Sequence, residues 1–339
     1  MNRIFKISVI IFIIVLQTAC FSKTHKAVRE VDGAMNTASQ IVVFGGVNAE
    51  DSASKCVELI EYYDKLFSIT NPESDVGKIN NSKNFVSVSY DTVKILKECF
   101  SFFTDTNGKF DITIGALSEL WTESIRNASL PEECEINNLK KLTDYSSLVI
   151  KGNEILKTVP NQKINLGAAA KGYISDKLAE YIKSTNSSGA MINLGGNIYT
   201  YGKKNDGSVW NIGIKDPRNS SELIGSVTIS DKFVVTSGDY ERFFDIDGVR
   251  YHHIIDAKTG YPSKSGVISV TIISDNGLIA DCLSTSCFLL GFDEGAKLLK
   301  KYNAEAIFVT DDNNIYYTKG INEYFEKMSD DYKYYPIEG

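Results

Sequence analysis

The sequence predicts an α+β protein built from mixed or antiparallel sheets with packed helices, and two observations carry that prediction. Amphipathic helical segments and short β-like runs are interspersed along the 339 residues without a regular alternation. Closely spaced β-like runs also make hairpins plausible, which argues against a doubly wound parallel sheet. No Pro/Gly/Ser-rich linker divides the chain, so residues 33–328 read as one unit, with 21–32 as a polar tether and 329–339 as a C-terminal tail.

The elements follow in order. "QIVVFGG" (40–46) is β-like and ends at a glycine pair. In 51–68 Cys56, Leu59, Ile60, Tyr63, Leu66 and Phe67 recur at helical spacing, and 91–108 is a second amphipathic helix stopped by Asn107-Gly108. A third helix, 173–184, follows a Gly/Ala-rich loop. "SVTIS", "FVVTSG" and "VISVTIIS" are strand-like. Residues 278–291 are apolar around the whole helix and predict a buried one ending at Gly291, followed by a further helix at "GAKLLKKYN". A hairpin turning around Asp311 to Asn314 completes the series.

Composition narrows the function classes. Hydrophobic residues at 43% and charged residues at 23% suit a globular domain with a core of its own. A net charge of -7 with no basic stripe argues against a nucleic-acid partner. Beyond Cys20 the five cysteines are odd in number and include no C-x-x-C pair, which disfavours a disulfide framework or structural zinc. Cys282 and Cys287 fall in the apolar helix and read as small buried residues.

The first twenty residues resemble a bacterial lipoprotein signal. Arg3 and Lys6 form a basic start, an apolar run of roughly ten residues follows, and Thr18-Ala19-Cys20 offers small residues before a cysteine. Gln17 stands where leucine is usual. This resemblance implies export, a lipid on Cys20, and residence on the extracytoplasmic side of a bacterial envelope membrane.

Several segments could carry chemistry. "INLGAAAKGYISDKL" (164–178) runs from a strand end through small residues into a helix, where Lys171 sits against an unfavourable dipole that a bound anion would relieve. A tight turn with a surface lysine is the bland alternative. "MINLGGNIYTYG" (191–202) repeats the theme, and a bulge or bend explains it as well. Asp111 stands between Phe110 and Ile112, so it needs a partner: a ligand, or a turn to cap. Asp281 and Thr285 share one helix face and offer hard oxygens suited to Mg²⁺, whereas helix capping and back-bonding are the structural alternative. In "YHHIIDAKTGYP" (251–262) a strand would send His252 and His253 to opposite faces, which prevents them from chelating one metal as a pair. Asp256 to Pro262 reads as a turn.

Taken together, these segments and their order resemble the ApbE family of flavin transferases. The likeness covers about residues 33–328, through "GAMNTASQIVVFG", "DKLFSITNPESDVGKIN", "GKFDITIGAL", "INLGAAAKGYISD", "MINLGGNIYTYG", "WNIGIKDP", "VVTSGDYERFF", "YHHIIDAKTGYP" and "ADCLSTSCFLLG". It implies a mixed α+β fold related to tunnelling folds. It further implies Mg²⁺-dependent transfer of FMN from FAD to a Thr or Ser hydroxyl of an exported electron-transfer protein, with release of AMP. Carried onto matching positions, Ala168 (through its carbonyl), Asp281 and Thr285 would hold the metal. Met35, Phe110, Asp111, Asn165, Lys171 and Ile255 would contact FAD, and His253 would be the base or orienter for the acceptor hydroxyl. Asn36 replaces a frequent glycine, and Asn165 a frequent aspartate, which removes a charge near the phosphates. Two other uses of such a site are a Mg²⁺-dependent FAD pyrophosphatase giving FMN and AMP, and a non-enzymatic FAD-binding lipoprotein.

Overall fold

The computed structural model describes residues 25–45 and 48–338. The signal segment and Cys20 lie outside the described residues. Among those described, a nine-stranded sheet forms the centre. Its strands are β1 (Lys26–Asp32), β2 (Ala38–Phe44), β3 (Gly189–Leu194), β4 (Asn197–Gly202), β5 (Phe233–Gly238), β6 (Val267–Ser274), β7 (Glu305–Thr310), β8 (Asn314–Thr318) and β9 (Lys333–Ile337). They lie side by side in chain order. Successive neighbours are antiparallel from β1 to β8, and β9 joins β8 in parallel. The mixed α+β expectation holds, and so does the hairpin at 311–314.

The sheet is covered on both faces, as the alternation of its side chains requires. Ile41, Val43, Ile192, Leu194, Val235, Ile272 and Phe308 point into the helical layer. Val42, Phe44, Val234, Ile273, Ile307 and Val309 point the other way, toward a small sheet of Trp210–Lys215, Leu223–Ile229 and Phe325–Lys327. β6 is buried at every position, which is why its sequence is nearly continuous in β-branched residues.

The helical layer consists of α1 (Ala49–Phe67), α2 (Asp75–Asn81), α3 (Tyr90–Asp105), α4 (Gly115–Asn127), α5 (Glu133–Lys140), α6 (Ala170–Ser184), α7 (Gly277–Leu290) and α8 (Phe292–Tyr302). α7 lies at the centre of this layer, as its predominantly apolar sequence predicts. Its first turn is held from α6: the Asp176 carboxylate accepts hydrogen bonds from the Gly277 and Leu278 amides at 2.6 and 2.9 Å. No helix among the described residues is long and apolar enough to cross a membrane.

Two segment assignments need correction. Residues 26–32, read as tether, form β1 along the full length of β2. Their polar look comes from an edge position: only Ala27 is buried. Residues 333–337, read as tail, form β9 and extend the opposite edge.

Candidate functional site

The site is assembled where the start of α6 meets α7. Gly172 and Gly277 face each other across the helix crossing, and neither has room for a side chain. A Cβ on Gly172 would lie 2.6 Å from the Asp281 Cβ, and one on Gly277 would lie 2.6 Å from the Gly172 carbonyl oxygen. This close approach lets the Gly172 amide donate to Asp281 Oδ2 at 2.8 Å. The loop 165–171 and the helix carrying Asp281 and Thr285 therefore meet, as the sequence reading requires.

Asp281 is buried, and burial raises its carboxyl above the usual range. The charge of Lys171, the Asn197 side chain and the Gly172 amide oppose that rise. Hydroxyls gather on the next turn: Ser237 of β5 lies 2.8 Å from Ser284 Oγ and 3.2 Å from Thr285 Oγ1. Among the described residues no three His, Cys, Asp or Glu side chains cluster as a metal cage. A single carboxylate one helix turn from the Thr285 hydroxyl nevertheless fits the donor chemistry of Mg²⁺, which keeps waters and takes substrate phosphates as ligands. Both amide atoms of Asn197 are buried with no partner at full hydrogen-bond geometry, and the side chain acts on the same carboxylate.

Lys171 links this cluster to the histidine. It makes no ion pair within 4 Å among the described residues, yet its charge acts on both Asp281 and His253. The strand Val249–His252 ends just before His253, so strand alternation does not extend across both histidines, and their partners differ. His252 is buried edge-on against Phe288, with Nε2 3.1 Å from the Ser263 carbonyl and Nδ1 accepting from the Ile254 amide. His253 hangs from the Arg242 carbonyl by its amide at 3.1 Å, and its covered Nδ1 has no partner. Desolvation, then the charges of Arg242, His252 and Lys171, push its pKa down to about 3, so the ring is neutral at neutral pH. Arg242 and Ser237 were not singled out from sequence. Both sit in "VVTSGDYERFF", but only the fold brings that segment to His253 and Thr285.

The remaining candidates divide into two groups. Met35 has left-handed φ of 54° and donates its amide to Asp64 Oδ1 at 2.9 Å. Its turn lies against β3 and β4: the Gly195 amide bonds to the Ala38 carbonyl at 3.1 Å, and a Cβ on Gly195 would meet Thr37 Cγ2 at 2.7 Å. The Asn165 amide bonds to the Ile112 carbonyl at 2.7 Å, and Oδ1 accepts from the Gly167 amide, shaping the loop before Ala168. Asp111 holds its own turn: Oδ1 accepts from the Thr113 amide and hydroxyl, and Oδ2 from the Tyr145 amide. Burial raises its carboxyl to about 6. Phe110 packs beside Phe102 and Ile255 joins a small core with Leu117 and Trp121, each about 2% exposed. Both side chains are packed in apolar surroundings. An open cleft of about 530 Å³ lies beside Asp111, Ala257 and Lys258, and Lys171, His253, Asp281 and Thr285 do not line it. The chemistry is read from the α6–α7 crossing because the charged and hydroxyl groups converge there.

Comparison with known proteins agrees with this arrangement. The ApbE family profile matches residues 35–308. An FAD:protein FMN transferase of Klebsiella pneumoniae is 35% identical over 272 residues, covering 78% of this chain and 84% of the relative. One of Treponema pallidum is 30% identical, covering 78% of each chain. Among solved structures, the ApbE protein of Thermotoga maritima superposes with a TM-score of 0.80 at 32% identity, over 90% of this chain and 100% of that one. The flavin transferase ApbE of Vibrio cholerae gives 0.79 at 26% identity, over 89% and 99%. With its fold, its motif order and these likenesses in agreement, the chain belongs to the ApbE family.

Proposed function

We propose that this protein is an FAD:protein FMN transferase that moves the FMN half of FAD onto a Thr or Ser hydroxyl of an exported electron-transfer protein. The observation that carries the reading is the α6–α7 crossing, where the Gly172 amide holds Asp281 Oδ2 at 2.8 Å one turn before Thr285, whose hydroxyl lies 3.2 Å from Ser237. Family membership and the names of the relatives support the flavin substrate.

The acceptor oxygen attacks the FMN phosphorus, the bridging P–O bond to the AMP half breaks, and AMP leaves with the bridging oxygen. The transferred group is then held by a phosphodiester to the acceptor. A hydroxyl is a poor nucleophile near neutral pH and needs a base. His253 is neutral there and can take the proton. Burial and the charges of Arg242, His252 and Lys171 make this imidazole a weak base in the free protein, and a bound diphosphate would offset those cations. Asp281, Thr285 and the Ala168 carbonyl would hold Mg²⁺, which when bound neutralises pyrophosphate oxygens. Lys171 adds positive charge on the same side, and the small residues of 167–170 let backbone amides approach the phosphates. The lipoprotein-like start supports an enzyme anchored through Cys20 on the extracytoplasmic side, where an exported acceptor is met.

Incubation with FAD and Mg²⁺, with and without an acceptor, tests the reading. AMP release should depend on acceptor and match the flavin bound to it. Rapid AMP release without acceptor, and no flavinylated protein with it, would instead support the pyrophosphatase.

A further inference from the structure

The Gly195-Gly196 turn leaves one feature that the mechanism above does not use. Leu194 and Asn197 are directly paired across a two-residue turn in which both glycines have positive φ, 56° and 91°. Asn193 Oδ1 accepts from the Gly196 amide at 2.8 Å and fixes the turn, while Thr37 occupies the space beside Gly195. Paired residues point to the same face of a sheet. Leu194 faces the helical layer, as does Tyr199 two residues beyond Asn197, so Asn197 faces the helices as well.

Asn197 is 1% exposed, and neither Nδ2 nor Oδ1 reaches a partner at full hydrogen-bond geometry, although the side chain lies close enough to Asp281 to favour its charged form. Buried amides in folded proteins are nearly always partnered, and leaving one unpaired is costly. The group it borders is Asp281, whose Oδ2 is already engaged by the Gly172 amide. A residue needed only to fill this space could be leucine, as its cross-strand partner is. The chain instead places an amide, held by a tight two-glycine turn, beside the carboxylate proposed to hold the cation.

We propose that Asn197 is a positioning residue for the cation site: its Nδ2 donates to the Asp281 carboxylate and fixes the orientation in which Asp281 meets a divalent cation, leaving Oδ1 facing the cation's water shell. This rests on the assignment of Asp281 as a metal ligand. Groups that orient a metal ligand commonly account for about 10- to 100-fold in metal affinity.

The test is direct Mn²⁺ binding to the otherwise intact protein without FAD, read by the loss of the free-ion electron paramagnetic resonance signal. Wild type, Asp281→Asn, Asn197→Leu and Asn197→Ser are compared, each with its thermal midpoint measured without metal. We expect Asn197→Leu to weaken Mn²⁺ about 10- to 100-fold while keeping a cooperative transition. Asn197→Ser, which keeps a small polar group, should recover part of that loss. If Asn197→Leu does not fold, Asn197→Ser carries the test with an expected loss of several-fold. Affinity within about twofold of wild type in the folded variants, with Asp281→Asn abolishing binding, overturns the role of Asn197 and leaves the metal ligand standing. Wild-type binding no tighter than that of Asp281→Asn overturns both.

Discussion

Gly172→Ala isolates the helix crossing on which the site depends. The new Cβ would sit 2.2 Å from the Gly277 carbonyl oxygen and 2.6 Å from the Asp281 Cβ, whereas ordinary contact begins near 3.4 Å, so α6 and α7 must part by about 1.2 Å. The Gly277 carbonyl and its carbon crowd the same position, so sliding along the crossing gives no relief. Backbone and the first atom of a side chain cannot swing aside as a long side chain can. Overpacking of this kind costs about 1–3 kcal/mol. The displaced atom carries the carboxylate, and the 2.8 Å bond from the Gly172 amide is lost or bent. A misplacement near 1 Å in a catalytic arrangement costs on the order of 10²-fold in rate. Urea unfolding should show the stability loss, and initial rates of FMN transfer at saturating FAD should show the rate loss. A variant within about 0.5 kcal/mol and about twofold of wild type would refute the argument that this crossing sets the position of Asp281.

Asp281→Ala should remove Mg²⁺-dependent turnover, and initial rates over a Mg²⁺ titration check it; wild-type rates would remove Asp281 from the site. His253→Ala should lower kcat for transfer by about 10²–10⁴-fold while FAD affinity stays within about threefold, as measured by flavin fluorescence, and unchanged transfer would exclude it as the base. Asp111 gives a pH test of the fold. Its carboxyl titrates at about 6 in the folded chain against an ordinary 3.8. Its contribution to stability is therefore fully present below 3.8 and is lost as pH rises through about 6. Relative to the non-titrating Asp111→Asn, wild type should lose up to about 3 kcal/mol between roughly pH 4 and pH 7 in urea unfolding, and parallel curves would contradict the shift.

Periodicity located the main helices and the buried strands because each buries one face or all of itself. α1, α3, α6, α7 and α8 lie where the spacing of their apolar residues puts them. α2, α4, α5 and the small sheet of Val86–Ser87, Leu148–Lys151 and Glu154–Lys157 were not legible, being short or half-exposed. β1 and β9 were missed because an edge strand can be polar, and the signal that identifies it is the neighbouring strand. At the site, Asp281, Thr285 and Lys171 were legible as misfits: hydroxyl and charge in an apolar helix, and a cation at a helix start. Asn197, Ser237 and the Gly172–Gly277 contact were not, because each acquires its meaning from a residue about 50 to 100 positions away. Asp111 was a misfit too, but its partners turned out to be Thr113 and Tyr145, which sequence alone could not separate from a ligand.

The central claim is that the nucleophile is a protein hydroxyl. Intact-mass measurement of an acceptor protein after incubation with FAD, Mg²⁺ and this enzyme tests it most directly. The acceptor should become heavier by FMN less one water, on a single Thr or Ser, with one AMP released per adduct. An unmodified acceptor accompanied by free FMN and AMP would contradict it and identify water as the nucleophile.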